Sequence, residues 1–98
     1  MIQFFKEIKI KTNGQKLLEI TSKVLDIVES TSIKEGILNL SILHTSASLL
    51  VQENADADVK KDLLNFFDCT APMDPSLYIH NIEGKDDMPA HIKTALTN

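Results

Sequence analysis

ILNLSILHTSASLLVQENAD, residues 37–56, sets two apolar runs on either side of a small hydroxyl-bearing cluster. Ile37 to Leu43 is short and β-rich and follows Gly36, the pattern of a strand covered on both faces. Ala47 to Glu53 reads as a second strand, with Thr45 and Ser46 at the turn between them. Side chains alternate along a strand, so His44 falls on the face shared by Leu38, Leu40 and Ile42, at the strand's end. The same alternation puts Glu53 in line with Ala47, Leu49 and Val51. A tight hairpin would leave Glu53 opposite Leu38, far from His44, so one simple hairpin does not bring the two into a common site.

Working outward, Phe5 to Thr12 alternates apolar and charged residues around Ile8 and Ile10, the period of a strand with one wet face. Asn13-Gly14 supplies a turn, and Lys16 to Ile20 is the return strand. Thr21 or Ser22 is placed to N-cap a helix whose Val24, Leu25 and Val28 share a face, fading through Ser30-Thr31-Ser32 and stopping by Gly36. Beyond the central stretch, Asn54 or Asp56 caps a helix with an apolar stripe of Val59, Leu63, Phe66 and Phe67, expected to be core. Pro72, Asp74 and Pro75 make an irregular connection. Asp86 or Asp87 then caps a last helix, with Pro89 in its first turn and Met88, Ile92, Ala95 and Leu96 facing inward.

The chain of 98 residues is expected to form a single domain, residues 1–98, because that length supports one core and not two. Its 14 acidic residues exceed its 10 basic ones for a net charge of −4, and every basic residue is Lys. Without Arg there is no guanidinium fork for phosphate or guanine, and without a basic stripe no footprint for a duplex, so nucleic acid is not an expected partner. No apolar run approaches the roughly 18–20 residues that span a bilayer, and the start lacks a signal-peptide pattern, which favours a cytoplasmic location with no membrane partner. Cys69, the single cysteine, has no partner for a disulfide and is expected to be a small buried side chain.

Chemistry-bearing residues are few. His80 lies in the irregular segment, and His91 about one turn into the last helix, where the positive helix end favours neutral imidazole. With His44 they could supply three nitrogens to a Zn-like ion, leaving a position open. The separations match no compact motif, however, and spacing alone favours histidines that are satisfied by neighbours or face solvent. Thr45, Ser46 and Ser48 read as turn chemistry rather than a nucleophile, because no Gly-x-Ser-x-Gly elbow is present. Asp86-Asp87 most simply caps a helix, though a carboxylate beside His91 could also hold a divalent ion or orient the ring.

Taken together these stretches resemble the YjbQ family. HTSASLLVQENADADVKKDL, from His44, is similar to the family's His-Thr-Thr/Ser-Ala-x-Leu segment running into Glu-Asn-x-Asp and Asp-Leu. YIHNIEGKDDMPAHIKTAL, from Tyr78, is similar to its His, Asp-Asp/Asn and His-x-Lys block. The resemblance implies an α+β fold, a mixed β-sheet packed with helices, in a homo-oligomer, typically a trimer. It also implies a cleft lined by His44, His80 and His91 as ligands of a divalent metal, Zn-like or Mg. His44, Glu53, Asp87 and Lys93 are its candidate catalytic residues, with Thr45, Ser46 and Asn54 as candidate cofactor-binding neighbours. The implied activity is a thiamine-phosphate-synthase-like transfer on small-molecule phosphate substrates, joining a pyrimidine pyrophosphate to a thiazole phosphate. The alternatives are a non-catalytic binding or assembly module, or a metal-assisted hydrolase. The family pattern continues past the last helix into further strands that this sequence lacks, so the expectation is a truncated member, a fragment, or a chain whose sheet another subunit completes.

Overall fold

The first helix, α1 (Thr21–Ser30), starts one residue earlier than its hydroxyls suggest: Ile20 occupies the N-cap position and no side chain caps the helix. Val24 is buried, with Ile27 and Val28 half-buried beside it, while Leu25 is turned outward and 53% exposed. The i, i+3, i+4 stripe is therefore Val24, Ile27, Val28. At the other end, Ser30 Oγ donates to the Ile27 carbonyl and Thr31 Oγ1 to the Val28 carbonyl, at 2.6 and 2.7 Å. The Val28 carbonyl also accepts from the Thr31 N–H at 3.1 Å, and Ser32 at φ +58° is left-handed and ends the helix.

The computed structural model describes all 98 residues, which group into two compact units, 1–39 and 40–98. The first unit holds α1; the second holds α2 (Ala57–Thr70), a 3₁₀ turn (Pro75–Leu77) and α3 (Asp87–Thr97). No helix is long and apolar enough to cross a membrane.

An α+β domain with a mixed sheet is not what this chain forms, for it contains three α-helices, one 3₁₀ turn and no strand. Gly14 adopts φ +71° at the anticipated turn, yet no strand forms on either side of it. The same holds for residues 37–53, and the strand expected to be covered on both faces leaves Ile37 100% and Leu43 89% exposed. Alternation and β-branching describe a side chain suited to a pleated, half-buried surface, but a strand exists only where a neighbour supplies the matching N–H and C=O groups. An isolated two-stranded hairpin is marginal in water, and neither pair has a third strand to lean on.

In the second unit α2 is capped by Asp56, whose carboxylate accepts from the Asp58 N–H at 2.9 Å. Its stripe is shallower than the sequence suggests: Val59, Leu63 and Phe67 are half-buried, Phe66 is 61% exposed, and Cys69 is exposed rather than buried. The fully buried residues lie just beyond the helix, at Ala71, and in the first turn of α3, at Pro89. Proline fits there because that turn's N–H has no helical acceptor. Met88 and Ile92 are half-buried, whereas Ala95 and Leu96 face solvent. Lys93 Nζ, on α3, lies 3.6 Å from the Asp68 carboxylate on α2.

Between the helices Asp74 accepts from both the N–H and the hydroxyl of Ser76, at 3.0 and 2.7 Å, and Tyr78 Oη donates to the Pro72 carbonyl at 2.8 Å. The Ser76 hydroxyl, followed by its N–H, holds the Asp74 carboxyl below its ordinary value. A depressed carboxylate stabilises the fold above its unfolded pKa, and the contribution is lost as pH falls through the folded one. Ser76→Ala should raise the Asp74 titration midpoint in a carbon-detected NMR pH series; an unmoved midpoint would show that the hydroxyl bond is not made in solution.

Candidate functional site

The second unit gathers His80, Asp87 and His91, whose ligand atoms all lie within 4.8 Å of one another. Asp87 and His91 are one turn apart on α3, so helical geometry alone stacks them on one face. His80 arrives from the loop after the 3₁₀ turn, through a bend in which Gly84 adopts φ +115°. Both rings present Nε2 to the same carboxylate oxygen: Asp87 Oδ2 is 2.7 Å from His80 Nε2 and 3.1 Å from His91 Nε2. The ring centroids are 5.8 Å apart. Asp87 is 21% exposed, His91 32% and His80 45%, so the group is open to solvent on the loop side.

The other nitrogen of His91 determines its state. Nδ1 lies 3.0 Å from the Thr45 backbone carbonyl, which can only accept, so Nδ1 carries the proton. In the neutral ring Nε2 is then a lone pair aimed at a carboxylate oxygen, an arrangement that requires a proton or a cation between them. An imidazole oriented by a backbone carbonyl through its far nitrogen is the usual setting of a metal-bound histidine. The bond from His80 holds the Asp87 carboxyl below its ordinary value, opposed by partial burial and aided by His91 and Glu83. Asp87 is thus an anion at neutral pH.

The remaining sequence-derived candidates are placed as follows. His44 is not among the converging ligands; its Nδ1 accepts from the Ser46 N–H at 2.9 Å and closes the local turn. That turn presents the Thr45 carbonyl and, at 3.4 Å, the Ser46 hydroxyl to His91 Nδ1. Because Nδ1 is already protonated, it cannot take the Ser46 proton, which removes a Ser46–His91 nucleophile pair. Ser48 and Thr97 share a hydroxyl–hydroxyl hydrogen bond. Lys93 Nζ lies near Asp68. Glu53 and Asn54 are exposed, the Glu53 N–H donating to Gln52 Oε1 at 2.9 Å. The sequence reading passed over Glu83, whose carboxylate is 3.8 Å from His80 Nε2; its only signal was its place three residues after His80.

Comparison with known proteins places the sequence in a family. Residues 6–98 match the family described as UPF0047 protein YjbQ-like. The chain belongs to that family. It is 48% identical over 88 residues to a UPF0047 protein of Synechocystis, a match covering 90% of this chain and 60% of the relative. UPF0047 protein YjbQ of Salmonella typhimurium is 44% identical over 78 residues, covering 80% and 54%. A UPF0047 protein of Methanocaldococcus jannaschii is 34% identical over 97 residues, covering 98% and 67%. The chain thus spans 54% to 67% of the length of these relatives. No solved structure matches it.

Proposed function

We propose that this YjbQ-family chain binds one divalent cation through His80 Nε2, Asp87 and His91 Nε2. The carrying observation is that two imidazole nitrogens face one carboxylate oxygen, at 2.7 and 3.1 Å. Bonds of about 2.0–2.1 Å imply adjacent donor separations of roughly 2.8–3.4 Å in octahedral or tetrahedral coordination, so the two nitrogen–oxygen spacings need only small adjustment. Two imidazoles and one carboxylate suit zinc and its first-row neighbours better than magnesium, which prefers an all-oxygen shell. Three protein ligands leave a coordination position free for substrate or water.

Bound there, a cation would neutralise developing charge on a departing phosphate or pyrophosphate. This suits the thiamine-phosphate-synthase-like transfer that the family resemblance implies. The chain's own residues have distinct tasks in this reading: Thr45 fixes the His91 ring through its carbonyl, and Asp87 supplies the negative charge. Lys85, exposed on the adjoining bend, is the cationic side chain available to a phosphate.

The test is equilibrium dialysis of the purified chain against zinc, manganese and magnesium, followed by thiamine phosphate formation assayed with and without the best-bound ion. Binding of about one zinc or manganese ion per chain, weakening on acidification because protons compete for imidazole, is the expected result. Absence of stoichiometric binding of any of the three would overturn the site.

A further inference from the structure

Three ligands do not account for every charge that faces this cluster. Glu83 stands on the loop that delivers His80, three residues on, and Oε2 is 3.8 Å from His80 Nε2. Its side chain is 65% exposed, so it has the freedom to close that distance. Glu83 also acts on the Asp87 carboxyl, helping to hold it below its ordinary value. Two carboxyl groups therefore face one imidazole nitrogen, at 2.7 and 3.8 Å. Two anions in such proximity repel one another unless a proton or a cation lies between them. A divalent ion held by two neutral imidazoles and two carboxylates would be charge-neutral as a unit.

We propose that Glu83 is the fourth protein ligand of the cation, completing a two-histidine, two-carboxylate set with His80, Asp87 and His91. The assignment rests on the three-residue site above. Asp87 and His91 are fixed by one helix face, whereas His80 and Glu83 stand together on the bend that Gly84 ends at φ +115°, so the loop supplies half of the ligands. A second carboxylate also biases the site against soft, thiolate-preferring ions and towards zinc, manganese or iron(II).

Cobalt(II) is the probe, because its visible d–d absorption reports ligand type and number, and its binding can be titrated in the wild-type chain and in Glu83→Gln and Glu83→Ala. Both substitutions fall on an exposed side chain, and circular dichroism checks that the helices persist. The expected result is a loss of affinity of about tenfold together with a changed d–d spectrum in both variants, while the wild type binds one ion. Unchanged affinity and spectrum would overturn the role of Glu83 and leave the three-residue site standing. Weaker binding with an unchanged spectrum would also overturn it, since Glu83 would then act only through its field. Failure of the wild type to bind would overturn the three-residue site and this assignment with it.

Discussion

Asp87→Asn should abolish divalent-cation binding, lowering affinity by about 100-fold or more in a zinc or cobalt titration. Loss of a partner outside the first coordination shell typically weakens a site by about 10- to 100-fold, and Asp87 is the group both histidines face, so its loss should exceed that range. The change preserves volume while removing the negative charge and turning one carboxylate oxygen into an amide N–H donor. The fold should survive it: His80 and His91 are 45% and 32% exposed and can be solvated when the carboxylate is gone. Loss of binding with an unchanged thermal midpoint in the absence of metal is therefore the expected pair of results. His44→Ala supplies the contrast, because His44 only closes the turn that presents the Thr45 carbonyl to His91, and its affinity should fall by far less than that of Asp87→Asn. Retention of binding in Asp87→Asn, or its loss in His44→Ala, would mean that the ligands are chosen differently.

How much of this was legible beforehand differs between helices and site. The three helices could be read because their signals are local: Asp56 ahead of Val59 and Leu63, Pro89 early in a segment that follows two aspartates, and the hydroxyl run at Ser30 to Ser32. The strands could not, because Ile37 to Leu43 and Ala47 to Glu53 carry the composition of strands while the hydrogen-bond partners that make a strand are nonlocal. Exposure misled in the same way: Phe66, Leu96 and Cys69 have apolar character, but what covers them is decided by the rest of the fold. For the site, His80, Asp87 and His91 were all named from sequence, and the last two pair by helical spacing alone. His44 was grouped with them as a side chain, whereas its turn contributes the Thr45 backbone carbonyl. A backbone group leaves no trace in residue type, and Glu83 had none beyond its nearness to His80.

Gly84→Ala should damage both stability and binding, because this residue sets the bend that carries His80 and Glu83 toward α3. At φ +115° an L side chain is strained, and a Cβ at this position would come within 2.9 Å of Asp86 Oδ1. Holding alanine in such a conformation costs about 1–3 kcal/mol, which chemical denaturation of the metal-free chain would detect. The chain can relieve the strain by reshaping residues 81–86, which moves His80 and Glu83 but not Asp87 and His91, whose pairing belongs to the helix. Cation affinity should then fall by about 10- to 100-fold, with the contact between Asp87 and His91 retained in NMR spectra. D-alanine at position 84, introduced by ligation, tolerates positive φ and carries its Cβ in place of the other glycine hydrogen, so it relieves both strains at once. Recovery of both stability and affinity would assign the defect to the L configuration at residue 84; recovery of neither would show that the bend accepts no side chain of either hand. Wild-type stability and affinity in the L-alanine variant would mean that the bend is not needed to bring the loop ligands to the helix.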